Sequence, residues 1–242
     1  MQSNTDGVGA NPLPFYSSNC FGYSVVECGE LTKTCNESVL NDLNLKMGRE
    51  FESLATAAAH ASNEHFDRFK NKKERMLTSC SVNRISELLE IKKYLNILAG
   101  DYVTDEEGWG FGNMYWRLVR ANSANDVGPM HADAWFWNLG QWPFPDTHER
   151  VKMWLPLIQN DVEPSFKLVP CSHLEEFHYR STLGVDDKLR PIFHEPEVEK
   201  KAIVAPVTVG NAIIFNDRLL HGGRATDSLR VSVEWTIAVR QR

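Results

Sequence analysis

The sequence predicts a mainly β protein in which helices come first and seven or more strands follow. Three features carry this. Apolar residues recur at three- and four-residue steps from about Glu37 to Tyr102, then at two-residue steps after Gly112. The later segments are short, rich in β-branched and aromatic residues, and bounded by Gly, Pro, Asn or Asp. Helices followed by a run of strands suggest an all-β barrel or sandwich buttressed by the helices.

The elements follow in chain order. Residues 1–36 are turn-rich and end in short apolar runs such as FGYSVVE. In SVLNDLNLKMGREFESLATAAAHA, Leu40, Leu43, Met47, Phe51, Leu54 and Ala58 fall on one helical face, which predicts one continuous helix. The charged run RFKNKKERM reads as a solvated face or turn. A second helix, SVNRISELLEIKKYLNIL, has Ser81 as its expected N-cap and Gly100 just past its end. The expected strands are NMYWRLVRA, AWFWNL, VKMWLPLI, SFKLVP, KAIVAPV, NAIIF and RVSVEWTIAVR. Between them, Leu174 to Lys200 reads as a long unstructured connection, the length at which loops tend to be functional.

Bulk properties narrow the function. The 242 residues carry 42% hydrophobic and 24% charged side chains, as in an ordinary globular protein. With no linker or repeat, one domain over 1–242 is expected: 1–111 as turn-rich and helical support, 112–242 as β core. A net charge of -6 argues against general nucleic-acid binding. No segment reaches the roughly 18 apolar residues of a membrane span, and no basic-plus-apolar signal opens the chain. Cys20, Cys28, Cys35, Cys80 and Cys171 form an odd set without a CxxC pair, so reduced cysteines and a cytoplasmic location are expected.

The chemistry begins in GPMHADAWFWN. Side chains at i and i+2 of a strand share a face, so His131 and Asp133 would project together. His221, which closes the run NAIIFNDRLLH before a Gly-Gly turn, is a third candidate from a distant strand. Two imidazoles and one carboxylate form the facial set of non-haem Fe(II) oxygenases, although zinc accepts the same donors. Nine positions beyond His221, Arg230 starts an alternating strand and shares a face with Ser232. A guanidinium fork with a hydroxyl beside it suits the distal carboxylate of 2-oxoglutarate, and hydrolytic zinc chemistry has no use for it.

Four blocks within residues 112–240 resemble the phytanoyl-CoA dioxygenase family of Fe(II)/2-oxoglutarate-dependent oxygenases: MHAD, VKMWLPLIQND, FKLVPCSHLEEF and VGNAIIFNDRLLHGGRATDSLRVSVEW. The resemblance implies a double-stranded β-helix (a jelly-roll, cupin-like barrel) with flanking N-terminal α-helices. It implies Fe(II) on His131, Asp133 and His221, and 2-oxoglutarate on Arg230 and Ser232 with Trp154 beside it. It further implies dioxygen as second cosubstrate, release of succinate and CO2, and hydroxylation of a small organic molecule. Related halogenases replace the carboxylate ligand, so Asp133 argues for hydroxylation.

The chain departs from the family pattern at Cys171, where a glycine is usual, and at Gly223, where a small or hydroxyl residue is common. His173 is expected to support its loop through hydrogen bonds, while His148, His178 and His194 are expected in solvent. Trp135, Trp137 and Trp142 read as core residues, with stacking on a substrate ring as the alternative. Arg117 and Arg120 lie in opposite phases of one strand, so at most one faces inward. Phe177, Tyr179, Arg180 and Phe193 make the 174–200 segment a candidate lid. A cupin-like metal-dependent isomerase or hydrolase, a catalytically silent barrel, and an oxygenase acting on a macromolecule share parts of this pattern. The first has no need of Arg230 and Ser232, the second would lose a ligand whereas all three are present here, and the last would favour a basic groove.

Overall fold

A computed structural model describes residues 21–88, 102–103, 114–140, 148–160, 162–184 and 189–240. Strand β1 (Tyr23–Glu27) opens this part and is followed by α1 (Gly29–Met47), α2 (Leu54–Glu64), α3 (Phe66–Phe69) and α4 (Ser79–Leu88). The β region begins with β2 (Tyr102–Val103) and β3 (Met114–Val119), then α5 (Asp133–Gly140), β4 (His148–Ile158) and β5 (Phe166–Leu168). Next come β6 (Arg180–Leu183), β7 (Leu189–Ile192), α6 (Pro196–Glu199) and β8 (Ile203–Val204). The last strands are β9 (Asn211–Asn216), β10 (His221–Gly223) and β11 (Arg230–Arg240).

The helical run expected to be continuous is broken. Gly48 terminates α1 in the left-handed conformation at φ 63°, which glycine adopts without a Cβ penalty. The Asn44 side chain then accepts the Phe51 amide at 3.2 Å, turning the chain into α2. Ser53 caps α2 by accepting the Thr56 amide at 3.2 Å. Thr78, not Ser81, makes the cap contact of α4, because its hydroxyl accepts the Ser81 amide at 3.3 Å. The RFKNKKERM run is largely exposed as expected, except that Phe69 is buried in the core and Arg75 turns back to donate to the Trp116 carbonyl at 3.0 Å. The extension of that second helix to Gly100, together with Cys20 and Trp142, lies outside the described residues.

Two sheets of mainly antiparallel pairing make the double-stranded β-helix. One runs β1-β9-β4-β11-β2, with β3 also on β11; the other runs β10-β5-β8. Alternation gives the large sheet two different faces. Val231, Val233, Trp235 and Ile237 join Met153, Leu155, Trp116 and the helical Leu31, Val39 and Leu43 in one buried cluster. On the opposite face Trp154, Ile213 and Phe215 pack against Phe166 and Leu168 of the small sheet. Arg230, Ser232 and Glu234 have the phase of this second, inner face. A register shift between Val231 and Ser232 puts a bulge beside Arg230, a common device for re-aiming a side chain.

Two expectations fail here. AWFWNL is not a strand but part of α5, since a short apolar run fits either a strand or a buried helical turn. Trp135 is buried while Phe136 is 42% exposed, the pattern of a helix lying on a core. The segment 174–200 is not unstructured: β6 and β7 pair as a hairpin, and α6 follows. Phe193, with Phe177 and Tyr179, packs against Trp135, so Trp135 is core as expected. Among the described residues no helix is long and apolar enough to cross a membrane.

Candidate metal centre

His131 and His221 meet through backbone. Each donates its amide to the other's carbonyl at 2.9 Å, an isolated antiparallel bridge. This bridge brings the imidazole centroids to 4.5 Å. Asp133 sits two residues on, at the first position of α5, where the Ala134 amide donates to the Asp217 carbonyl at 2.9 Å. The predicted juxtaposition of His131 and Asp133 is therefore real, but a bridge followed by a helix start creates it, not one strand.

The tautomers are fixed by local bonds. His131 Nδ1 lies 2.9 Å from the Pro129 carbonyl, and His221 Nδ1 lies 2.9 Å from the Leu219 carbonyl. A carbonyl only accepts, so each Nδ1 carries the proton and each Nε2 keeps its lone pair. Those Nε2 atoms face Asp133, at 3.7 Å from Oδ1 for His131 and 3.6 Å from Oδ2 for His221. Asp133 Oδ2 is buried without a hydrogen-bond partner. Three acceptors thus converge with no proton between them, the arrangement that a divalent cation completes.

The electrostatics agree. Burial alone would raise Asp133, but Lys152, His221 and His131 outweigh it and hold the carboxyl at about 2. Lys152 Nζ is 3.7 Å from Asp133 Oδ2. Burial, and then the neighbouring His131, push His221 down to about 4, so its ring is neutral at neutral pH. The ring is also wedged between Phe166, parallel at 8° and 5.5 Å, and Phe215 at 4.6 Å.

The expected cosubstrate anchor lies on the same inner face. Arg230 is 3% exposed and Ser232 1%. Arg230 donates to the Ser165 carbonyl at 3.2 Å, while its Nε and the Ser232 hydroxyl are buried without partners. Burial, reinforced by Arg117, lowers Arg230 to about 10, which leaves it charged at neutral pH. Trp154 belongs to the inter-sheet core, and the Arg230 guanidinium lies 6.0 Å from its ring centre. Gly223 explains its own departure: a Cβ there would come within 3.0 Å of Val127 and 3.3 Å of Arg230 Nη2. Cys171 takes over the left-handed backbone of the usual glycine at φ 65°.

Of the two arginines left open, Arg117 faces inward. It pairs in register with Ser232, whereas Arg120 binds Asp126 at 2.8 Å and lies over Phe66. His173 does not support its loop as expected: Nδ1 is buried without a partner, and its ring occupies the space a Cβ on Gly22 would need. His178 and His194 are exposed as expected; the backbone of His148 opens β4, and its side chain lies outside the described residues. Trp137 carries the Arg150 guanidinium 4.5 Å above its ring. Sequence reasoning missed Lys152, Glu234 and Asp217. The alternation Arg150, Lys152, Trp154 on a strand was the available signal for the first.

Asp217 supplies a pH test. Burial pushes its carboxyl up to about 7, against the opposing pull of Arg150 at 3.8 Å. The folded chain then keeps a proton that the unfolded chain has lost, so stability falls as pH rises from about 4 to 7. Asp217→Asn removes this slope. In chelator-treated protein its melting temperature should gain on the wild type at pH 8 and not near pH 4, by about 2–4 °C per kcal/mol. A difference independent of pH would refute the ionisation.

Comparison with known proteins completes the description. A family model described as Phytanoyl-CoA dioxygenase (PhyH) matches residues 26–232. No curated protein matches the chain. Among solved structures, EctD from S. alaskensis with 2-oxoglutarate and 5-hydroxyectoine is 13% identical, covering 90% of this chain and 72% of its own, at a TM-score of 0.54. The same protein with bound Fe is 12% identical, covering 90% and 73%, at 0.50. AviO1 from Streptomyces viridochromogenes Tue57 is 13% identical and covers 93% of both chains, at 0.50. At these identities the likeness establishes the shared fold.

Proposed function

The chain belongs to the phytanoyl-CoA dioxygenase family, and from that premise we propose a non-haem Fe(II)- and 2-oxoglutarate-dependent dioxygenase acting on a small organic metabolite. His131, Asp133 and His221 would hold Fe(II), and Arg230 and Ser232, with Trp154 beside them, would receive 2-oxoglutarate. One observation carries this reading: two proton-free imidazole nitrogens face the Asp133 carboxylate, whose buried Oδ2 has no hydrogen-bond partner. Bound there, iron supplies activation of dioxygen, with 2-oxoglutarate oxidised to succinate and CO2.

The chain's own work is orientation and exclusion of water. The Pro129 and Leu219 carbonyls hold both rings with Nε2 forward. Phe166, Phe215 and Trp154 close the inner wall behind the ligands. Arg230 and Ser232 provide buried donors in want of an acceptor, which favours an oxygenase over a cupin-like isomerase or hydrolase. Insertion of oxygen into an unactivated C–H bond is the finer step we assign, on the strength of Asp133 as the third ligand. We further propose one domain over 1–242 and a cytoplasmic location.

The test is anaerobic addition of Fe(II) and then 2-oxoglutarate, followed by admission of air. A weak visible charge-transfer band and dioxygen-dependent succinate release are expected. Uptake of a divalent metal with neither band nor 2-oxoglutarate binding would return the site to the isomerase or hydrolase reading.

A further inference from the structure

A second set of metal-ligating side chains lies on the helical layer, apart from the candidate iron centre. His60, Glu64 and His65 each offer one ligand atom, and these atoms lie within 4.8 Å of one another. The sequence builds the set in two steps. Leu54, Ala57, Ala58 and Ala61 turn one side of α2 into the core, while His60 and Glu64, one turn apart, share another side. His60 Nδ1 lies 3.0 Å from Glu64 Oε1. On a continuing helix His65 would point about 140° away from His60. The helix ends there instead, with His65 at φ -128° and ψ 12° and its amide still donating to the Ala61 carbonyl at 3.0 Å. Its side chain makes no capping bond to α3, and its ring meets the His60 ring at 5.4 Å and 66°.

The donors decide which cation fits. Two imidazoles with one carboxylate suit zinc and its neighbours cobalt, nickel and copper, whereas magnesium and calcium prefer an all-oxygen shell. Ligands about 2.0–2.2 Å from a tetrahedral zinc stand roughly 3.3–3.6 Å apart, so the widest pair has to close by about 1 Å. The Glu64 side chain is 61% exposed and can follow by a change of rotamer. His60 is the fixed member, 20% exposed and packed on the Phe51 ring at 5.2 Å. The His131 and His221 rings are oriented by the Pro129 and Leu219 carbonyls. His60 Nδ1 faces Glu64 instead, so this second set should be the weaker.

We propose that His60, Glu64 and His65 form a second metal site, for a zinc-class divalent cation with water completing its shell. The site joins the last turn of α2 to α3, whose Phe66 and Phe69 enter the core. Phe69 meets Trp116 of β3 at 5.0 Å, so a cation at this junction pins the helical layer to the outer face of the large sheet. Its role is structural. The unfolded chain does not hold the three ligands together, and binding therefore favours the folded state. The inference is independent of the oxygenase reading.

Cobalt(II) is the probe, because it takes the same donors as zinc and a thiolate ligand would show as a near-ultraviolet charge-transfer band. The full chain is titrated by calorimetry as wild type, as the double variant His131→Ala/His221→Gln, and as His65→Gln. Two equivalents are expected in the wild type and one in each variant, with no thiolate band. Glu64→Gln should weaken the second equivalent roughly tenfold or more, since even the outer partners of a ligand contribute that much. Its exposed position makes it the deciding variant should His65→Gln not fold. In the double variant, zinc at about a hundredfold excess over its dissociation constant should raise the melting temperature by about 5–10 °C. Adding His65→Gln should erase that rise.

A wild type that binds one equivalent, lost in the double variant, overturns this site and leaves the iron reading intact. One equivalent that survives the double variant and is lost in His65→Gln supports this site and removes the iron reading. A second equivalent undiminished in both His65→Gln and Glu64→Gln overturns the proposal, as does one that brings a thiolate band.

Discussion

Alanine at His131, Asp133 or His221 should abolish 2-oxoglutarate-dependent turnover while leaving a folded protein. A metal centre contributes several kcal/mol of transition-state stabilisation. Losing about 4 kcal/mol is roughly a thousandfold in rate, so activity should fall at least that far in each variant. Iron stoichiometry under argon should drop with it. The fold should survive because the two histidines are joined by main chain, each amide donating to the other's carbonyl at 2.9 Å. Side-chain removal leaves that bridge intact. His221→Ala does open a gap between Phe166 and Phe215, so His221→Gln is the better control for packing. Metal-free wild type and variants should then melt within a few degrees of each other. A variant that keeps both iron and turnover would remove that residue from the ligand set.

The three candidate ligands and Arg230 could be singled out in the sequence because each sits at a position where spacing and turn residues leave little freedom, and the fold brings the His131, Asp133 and His221 side chains together. The geometry that joins them was less legible. His131 and Asp133 were expected to project together from one strand; they converge because an extended bridge residue is followed by the first turn of α5. Short apolar runs such as AWFWNL carry no period that separates a strand from a buried helical turn. The break at Gly48 was missed for the opposite reason. The apolar stripe continues across it, while the left-handed glycine and the Asn44 side chain turn the backbone.

Lys152 and Glu234 stayed hidden because a charge alternating with apolar residues on a strand ordinarily points to water. Here both faces of the large sheet are covered, one by helices and the other by the small sheet. The alternation therefore separates an apolar face from a charged interior. Covering both faces is a property of the whole fold and leaves no mark within β4 or β11. The hairpin in 174–200 was obscured similarly, since its strands of four residues each are mostly exposed.

Substitution of Arg230 should have opposite effects on the loaded and the empty protein. Arg230 is 3% exposed, with Nε and the neighbouring Ser232 hydroxyl lacking partners. Burial lowers it only to about 10, so the empty protein holds a charged guanidinium away from water at neutral pH. That arrangement is unfavourable until a carboxylate supplies two parallel acceptors. Arg230→Lys keeps the charge but replaces the fork by a point, and 2-oxoglutarate should bind more weakly by roughly ten- to a hundredfold, about 1.5–3 kcal/mol. Arg230→Met should remove binding altogether and, at the same time, raise the melting temperature of the empty protein. A side chain placed there only for stability would do the reverse, lowering the melting temperature of the empty protein and sparing affinity for 2-oxoglutarate. Gly223 leaves space beside the guanidinium, since a Cβ there would approach Nη2 to 3.3 Å. Gly223→Ala should therefore follow Arg230→Lys in direction and fall short of it in size. An unchanged Michaelis constant for 2-oxoglutarate in Arg230→Lys would detach this residue from the cosubstrate and leave the partnerless Ser232 hydroxyl without an explanation.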